Sequence, residues 1–361
     1  MATFDLVFEG GGAKGIAFVG ALEVFATAGH RFRRVIGTSA GAISAALVAA
    51  GFSPTELRAA VTERTADGRP RFATFLDRPT EKNFSSQLIE RSETMSAFSA
   101  VHLPGVFGER ILETLLKTTA YAQVFSIIEC GGFFAGQTFL AWLQEKLRQK
   151  GFDPDATFAE FHQQTGTDLS VVASDTSDEE LLVLNHRTAP QCPLAWAVRM
   201  SMSIPFLWQA VEWDERWGSY RQRTKTGNAI VDGGVLSNFP IGLVAERTPE
   251  TLSIMGDTDP QAAQNLGLLI DETLAVPGVP PIVNKPKLVN HLRTVQRAAH
   301  ILDTMMQARD LDVIRQRATE ICHLPAKGYG TTEFDMSAER LEALIAGGRS
   351  AMTAYLQTLQ L

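Results

Sequence analysis

Gly37-Thr38-Ser39-Ala40-Gly41 sets a serine between two glycines at the spacing of a nucleophile elbow, a tight strand-to-helix turn that projects a hydroxyl. Three fixed positions of this kind arise by chance in roughly one chain of this length in ten, so the weight rests on context. Arg34 to Ile36 ahead of it reads as a short strand, and Ala42 to Ala50 behind it as an apolar helix. A second glycine turn, Gly10-Gly11-Gly12-Ala13-Lys14-Gly15, follows the apolar segment Phe4 to Phe8 and leads into a helix expected over Ile16 to Ala28. Glycine at such a turn supplies positive φ and lets a ligand approach the backbone closely. Two readings fit it: a pyrophosphate cradle, or an anion hole for some other negative oxygen.

The neighbouring residues separate the two. A dinucleotide fold needs an acid about 20 residues beyond the glycines, at the end of the second strand, and that strand ends here in Gly37-Thr38-Ser39. A phosphate-binding loop of the Walker type needs Gly-Lys-Ser/Thr where this chain has Ala13-Lys14-Gly15. Both nucleotide readings therefore fall. If parallel strands bring the two turns together, the N–H groups around Gly11 and Gly12 face the serine hydroxyl as an oxyanion hole. The positive N-terminal end of the helix near Ala40 reinforces them.

A serine hydroxyl also needs a base. His291, His300 and His323 follow in the chain, the first two on an expected helix, and all three read first as structural while remaining alternatives as triad partners. The better candidate is Asp232 in Val231-Asp232-Gly233-Gly234, where an apolar strand ends and glycines let the backbone turn beside a carboxylate. Burial beside Ser39 is expected to raise its pKa and strengthen it as a base.

Taken together, these pieces resemble the patatin-like phospholipases. The resemblance rests on Gly10 to Gly15, Gly37 to Gly41 and Asp232-Gly233-Gly234, in that order. It extends through Gly132-Phe133-Phe134-Ala135-Gly136, Ser201-Met202-Ser203-Ile204-Pro205-Phe206, Gly234-Val235-Leu236-Ser237-Asn238-Phe239-Pro240 and Phe334-Asp335-Met336-Ser337. It is close across 4–52 and 195–242, and loose across 55–130 and 245–325. The family often has arginine where this chain has Lys14, a change that keeps the charge but loses the planar fork. The resemblance implies an α/β fold, a three-layer sandwich with a mostly parallel central sheet flanked by helices. It implies Ser39 as acyl-accepting nucleophile, Asp232 as base and the 10–15 loop as oxyanion hole, with no cofactor and no metal. The substrate class implied is a phospholipid or other acyl lipid. A soluble ester or thioester hydrolase and a non-catalytic lipid-binding module are the competing readings.

The elements that must position these residues are legible in outline. The chain has 361 residues, 45% of them hydrophobic, enough for one large α/β domain spanning 1–361. Strand, glycine turn, helix, repeated twice, is the pattern of a parallel sheet with crossover helices. Leu169 to Ala173 and Leu181 to Leu184 read as further strands and Ala195 to Met202 as a helix, while Trp208 to Trp213 and Ala229 to Val231 flank a polar excursion. Asp214 to Asn228 reads as a solvated hairpin and 271–290 as a connector. A less typical, lid-like insert is expected at about 70–135 and a helical portion at about 285–361. Within the insert, Phe107, Ile111, Leu112, Leu115 and Leu116 fall at helical spacing, read first as core and alternatively as a lid opening on lipid.

Composition sets the remaining bounds. A net charge of −7 argues against a nucleic-acid partner, and the local cluster Arg31, Arg33, Arg34 reads as a solvated loop. Cys130, Cys192 and Cys322 form no metal or disulfide pattern, which points to a reduced compartment. A first strand beginning by residue 4 leaves no room for a cleaved signal peptide, so a cytoplasmic or membrane-peripheral location is expected, with signal-independent export open. The longest apolar run is too short to span a bilayer, which leaves peripheral contact. A protein activator is compatible with all of this. Phe18, Phe133, Phe134, Phe206, Leu207, Trp208 and Phe239 lie near the motifs and are candidates for an acyl channel, with plain packing the alternative for each.

Overall fold

The computed structural model describes residues 1–100, 112, 114–257, 259, 261–278 and 310–359. Its centre is an eight-stranded sheet. The strands are β1 (Thr3–Phe8), β2 (Arg31–Thr38), β4 (Asp168–Asp175), β5 (Glu180–Leu184), β7 (Val211–Glu212), β8 (Ala229–Asp232), β9 (Gln264–Ala275) and β10 (Ile321–Lys327). The order is β10-β9-β1-β2-β4-β8-β7, with β5 also paired to β4. Pairs from β10 to β4 are parallel, and β4–β5, β4–β8 and β7–β8 are antiparallel. A separate two-stranded ribbon joins β3 (Gly132–Phe134) to β6 (Phe206–Trp208).

Why the inner strands read as unbroken apolar runs is clear from their packing, since both faces are covered. Leu6 and Phe8 of β1, Val35 of β2 and Val171 of β4 join one core layer; Val7, Ile36 and Val172 join the other. Helix α1 (Ala17–Thr27) and helix α2 (Ala40–Ala49) cover the first face. The helix Ala338–Thr358 lies against α1. Two glycines let these helices touch: a Cβ on Gly20 would lie 1.8 Å from the Ile345 carbonyl oxygen, and one on Gly348 2.0 Å from that of Ala17.

Several expectations are corrected. The Arg31–Arg34 cluster is no loop: it opens β2, where Arg33 and Arg34 both grip the buried Asp5 of β1. Burial alone would raise the Asp5 pKa, but the two guanidinium groups hold it below the usual carboxylate range. The 214–228 excursion is no solvated hairpin either, because Trp217, Tyr220 and Lys225 are buried. The Lys225 ammonium sits among Asp175, Asp178 and Glu180, so three carboxylates compensate its desolvation. The flank Trp208 to Trp213 runs from the end of β6 through β7. The supposed connector begins as the second half of β9, and the supposedly helical portion from 285 contains β10. Residues 285–309, with His291 and His300, lie outside the described residues.

In the 70–135 insert, Phe84, Met95, Leu112, Leu116, Ala122 and Phe125 form a small core of their own, the inward-packing reading of that stretch. Phe107 and Ile111 lie outside the described residues. Among those residues, no helix is long and apolar enough to cross a membrane.

Candidate functional site

The first two turns meet because β1 and β2 are parallel neighbours whose ends are level, Phe8 opposite Gly37. Ser39 follows the end of β2 and caps α2 with φ 53° and ψ −122°, a left-handed conformation costly for any residue with a side chain. Its neighbours must be small. A Cβ on Gly37 would lie 2.2 Å from the Gly41 carbonyl oxygen, and one on Gly41 2.3 Å from that of Phe8. The Ser39 N–H donates to Ser201 Oγ at 2.9 Å, and Ser201 in turn donates to the Val172 carbonyl at 2.6 Å. The helix Leu194–Ser201 thus ties the turn to β4.

Asp232 ends β8, opposite Ala173 of β4, one position along β4 from the Val172 that faces Thr38. Gly233 crosses β4 so closely that a Cβ would lie 2.4 Å from the Val172 carbonyl oxygen. The Asp232 N–H donates to the Ser203 carbonyl, and Arg199, wholly buried, holds Ser203 while donating to Ala135 and Gln209 carbonyls. The carboxyl accepts the Gly234 N–H on Oδ1 at 2.8 Å; Oδ2 is buried without a hydrogen-bond partner. Burial pushes the Asp232 pKa up to about 7, with the adjacent Ser39 hydroxyl and the Gly234 N–H restraining the rise. The hydroxyl and the carboxyl are neighbours without a closed hydrogen bond between them.

The first glycine loop is more divided than its composition suggests. The Gly10 N–H donates to the Asn238 carbonyl, Ala13 to Thr331 and Lys14 to Gly11, so these three amides are spent on holding the loop. Gly11 and Gly12 have no such bond among the described residues, and Gly12 takes φ 56°. Lys14 pairs with Glu272, and Gly15 packs against Ala40. Asn238 braces the arrangement from the Asp232 side, donating from Nδ2 to the Gly10 carbonyl and to Glu9, each at 3.1 Å. Glu9 also accepts the Ile270 N–H, and burial pushes its pKa up to about 8.

Ser39 stands between two cavities of opposite character. One, about 310 Å³, is lined by Gly10, Gly11, Gly12, Lys14, Asp232, Asn238 and the charged groups of β9 and β10. The other, about 30 Å³, is lined by Ile43, Phe72, Phe75, Phe139, Met202, Trp208 and Phe334, and holds little more than a water or two. Of the seven aromatic and aliphatic candidates read from sequence, only Trp208 lines this slot; Phe18 borders an adjoining one of about 40 Å³. Phe239 belongs to the opposite core layer, and Phe206 is exposed. Phe72 and Phe75 escaped the sequence reading because they lie far from the glycine motifs in the chain, whereas Phe139 follows Gly136 by three residues and was passed over.

Two further groups of ligand-type side chains converge, which the sequence had not suggested. His162, Asp168 and His186 form one, but the rings stack at 3.7 Å and 4°, so their in-plane lone pairs do not point at a shared centre, and Arg187 forks onto Asp168. Asp175, Asp178 and Glu180 form the other, and the Lys225 ammonium fills it.

The fold is α/β, a mostly parallel sheet with helices on both faces and glycine turns at the strand ends. The chain belongs to the patatin-like phospholipase family, whose model matches residues 6–245. The Bacillus subtilis (strain 168) protein YqhO is 30% identical over 366 residues, covering 98% of each chain. The probable lipid hydrolase 463L of Invertebrate iridescent virus 6 is 21% identical over 66% of this chain and 62% of its own. The crystal structure of VipD from Legionella pneumophila superposes with a TM-score of 0.51 at 16% identity, over 98% of this chain and 67% of that one, a likeness of fold.

Proposed function

We propose that the protein is a serine lipid acyl hydrolase of the phospholipase A or lysophospholipase type, with Ser39 as nucleophile and Asp232 as base. Membership of the family and the viral relative described as a lipid hydrolase support the general activity. The observation that carries the finer reading is the pairing of a strained serine with a buried carboxyl whose second oxygen has no partner.

In this reading Ser39 Oγ attacks the ester carbonyl carbon and its proton passes to Asp232. An ordinary aspartate is a poor base for an alcohol; a pKa near 7 brings it closer to what general-base catalysis at neutral pH requires. The Gly11 and Gly12 amides receive the oxyanion, and one such donor is typically worth about 10²- to 10³-fold in rate. The ester C–O bond then breaks, and Asp232 returns the proton to the departing alcohol oxygen. Water attacks the acyl-Ser39 carbonyl carbon with Asp232 again accepting a proton, and as the acyl–Oγ bond breaks Asp232 returns that proton to Ser39 Oγ, releasing the fatty acid and restoring both residues. Leu311, on the rim of the larger cavity, and Leu274 on β9 are exposed apolar side chains suited to peripheral contact with lipid.

A second reading, hydrolysis of short-chain soluble esters, is favoured by the small apolar slot, which a long acyl chain would have to widen by moving Phe72 or Phe334. Fatty-acid release from mixed phospholipid vesicles with chelator present decides. The lipid reading expects release by wild type and losses of at least about 10³-fold in Ser39→Ala and Asp232→Asn. Turnover of short soluble esters with none on vesicles gives the answer to the second reading, and retained activity in Ser39→Ala removes both.

A further inference from the structure

The apolar slot beside Ser39 has a continuation. The adjoining cavity of about 40 Å³ shares Ala40, Ile43 and Phe72 with it as wall residues. Ala40 and Ile43 belong to α2, and the next positions on the same helix face, Ser44 and Leu47, line the second cavity but not the first. These four fall at i, i+3, i+4 and i+7 from the residue that follows the nucleophile, so the track leaves Ser39 along the helix for about 10 Å. Across from α2, the second cavity is walled by the buried side chains of Phe18, Val19 and Leu22 on α1 and Leu57 on the helix Pro54–Val61. The Trp142 indole N–H there is spent on Glu63, which leaves Ser44 as the one polar side chain among the lining residues without an indole.

The divider between the two cavities is an aromatic ring. Phe72 sits half-buried on the short turn Arg71–Phe75, its ring 5.1 Å from that of Phe75 and edge-on to Trp142 at 5.6 Å. The turn itself is held, because the Arg71 N–H and guanidinium both donate to Glu63. Phe75 is buried, and its carbonyl accepts the Trp208 indole N–H. In this stack Phe72 is thus the ring with a solvent side to turn toward. Phe334, the other half-buried ring at Ser39, borders the first slot alone.

We propose that the two cavities are successive segments of one acyl path and that Phe72 is the gate between them, the residue that sets acyl length. This rests on Ser39 being the acyl-accepting nucleophile and adds the class of acyl group. With the ring in place, the first slot takes the few carbons next to the ester. A longer chain must turn the ring before its methylenes reach the second cavity, and that cost falls on long acyl groups and not on short ones. A penalty borne by one substrate and not the other is specificity. Each methylene that gains burial is worth about 4-fold in binding, so two of them entering the second cavity give at least about 10-fold.

Competition between acyl lengths tests the gate. The ratio of kcat/KM for p-nitrophenyl octanoate to that for p-nitrophenyl butyrate does not depend on how much of a variant is folded. It is expected to rise at least about 10-fold in Phe72→Ala, and by less in the milder Phe72→Leu. Adding Ser44→Leu to Phe72→Ala fills the second cavity from α2 and is expected to bring the ratio back to within about 3-fold of wild type. A ratio unchanged or lowered in Phe72→Ala overturns the gate, and a raised ratio that Ser44→Leu leaves intact overturns the second cavity as the path. Calorimetric titration with octanoate makes the same comparison without turnover: binding at least about 10-fold tighter in Phe72→Ala than in wild type, reversed by Ser44→Leu. That binding pattern with no ester cleaved at any length sinks the hydrolase and spares the gate; cleavage of both esters in an unaltered ratio does the reverse. No cleavage and no detectable octanoate binding to Phe72→Ala overturns both.

Discussion

Asp175 and Asp232 end neighbouring antiparallel strands, and both are about 1% exposed. Their surroundings differ in depth and in partners, Asp232 being enclosed more deeply than Asp175. Asp175 accepts from Lys225, from the Asn228 side chain and from the N–H groups of Ser177 and Asp178. Burial works to raise its pKa, but the Asn228 and Lys225 bonds prevail and hold it low. Asp232 accepts one backbone N–H, and burial prevails, giving a pKa of about 7. Equal solvent exposure therefore coexists with opposite chemistry, set by how deeply each carboxyl is desolvated and how many of its lone pairs are answered. A fully answered carboxylate holds strands together; one left short keeps its affinity for a proton.

The contrast can be broken most sharply by neutral isosteres. Asp232→Asn is expected to cost at least about 10³-fold in kcat while leaving the urea midpoint equal or higher. Asp175→Asn should do the opposite. Breaking a buried charge cluster costs about 3–5 kcal/mol of stability, and activity per folded molecule should stay within about 3-fold of wild type. If Asp175→Asn instead lost activity at full stability, the division of labour between the two carboxylates would be wrong.

The pH response sharpens the same comparison with opposite signs. The folded pKa of Asp232 lies above its unfolded value, so folding is relatively favoured below about pH 4. That advantage drains away as pH rises toward 7, and denaturant midpoints of wild type should decline relative to Asp232→Asn across the interval. The folded pKa of Asp175 is depressed, so its contribution is present above the usual carboxylate value of 3.8 and is lost as pH falls through the lowered folded one. Turnover should rise with pH through about 7 as Asp232 ionises, and a flat kcat profile over pH 5 to 9 would remove it as the base. The smallest effect is expected for Asn238→Ala, which loses two side-chain bonds holding Gly10 and Glu9: about 5- to 10-fold in kcat, with KM little changed.

What could be read from the chain alone follows from where the physical constraint lies. The turns at Gly10–Gly15, Gly37–Gly41 and Asp232–Gly234 are local: a missing Cβ or a left-handed φ leaves its mark in consecutive residues. The strands carrying them were legible because both faces are buried. The salt link from Arg33 and Arg34 to Asp5, the Lys225 cluster and the bracing by Glu9 and Asn238 left no such mark, since each partner alone looks like an ordinary surface residue. For the same reason Lys225 and its neighbours read as solvated. The outer wall of the cavity escaped because β9 comes beside β1, and β10 beside β9, only through the sheet, with β9 more than about 250 residues along the chain from β1.

That placement of β9 also has a temporal side. During synthesis β1 and β2 emerge early and can pair at once, but the outer edge of β1 waits for residues 264–275, and Gly10 waits for Asn238. Until then the nascent chain carries an unsatisfied, apolar strand edge of the sort that invites wrong partners. Pairings so distant in sequence close slowly. The glycine loop takes its final shape only after most of the polypeptide has left the ribosome, so a ribosome-bound fragment would hold Ser39 without a finished pocket around it, and lipid cleavage would begin late in the life of each new molecule.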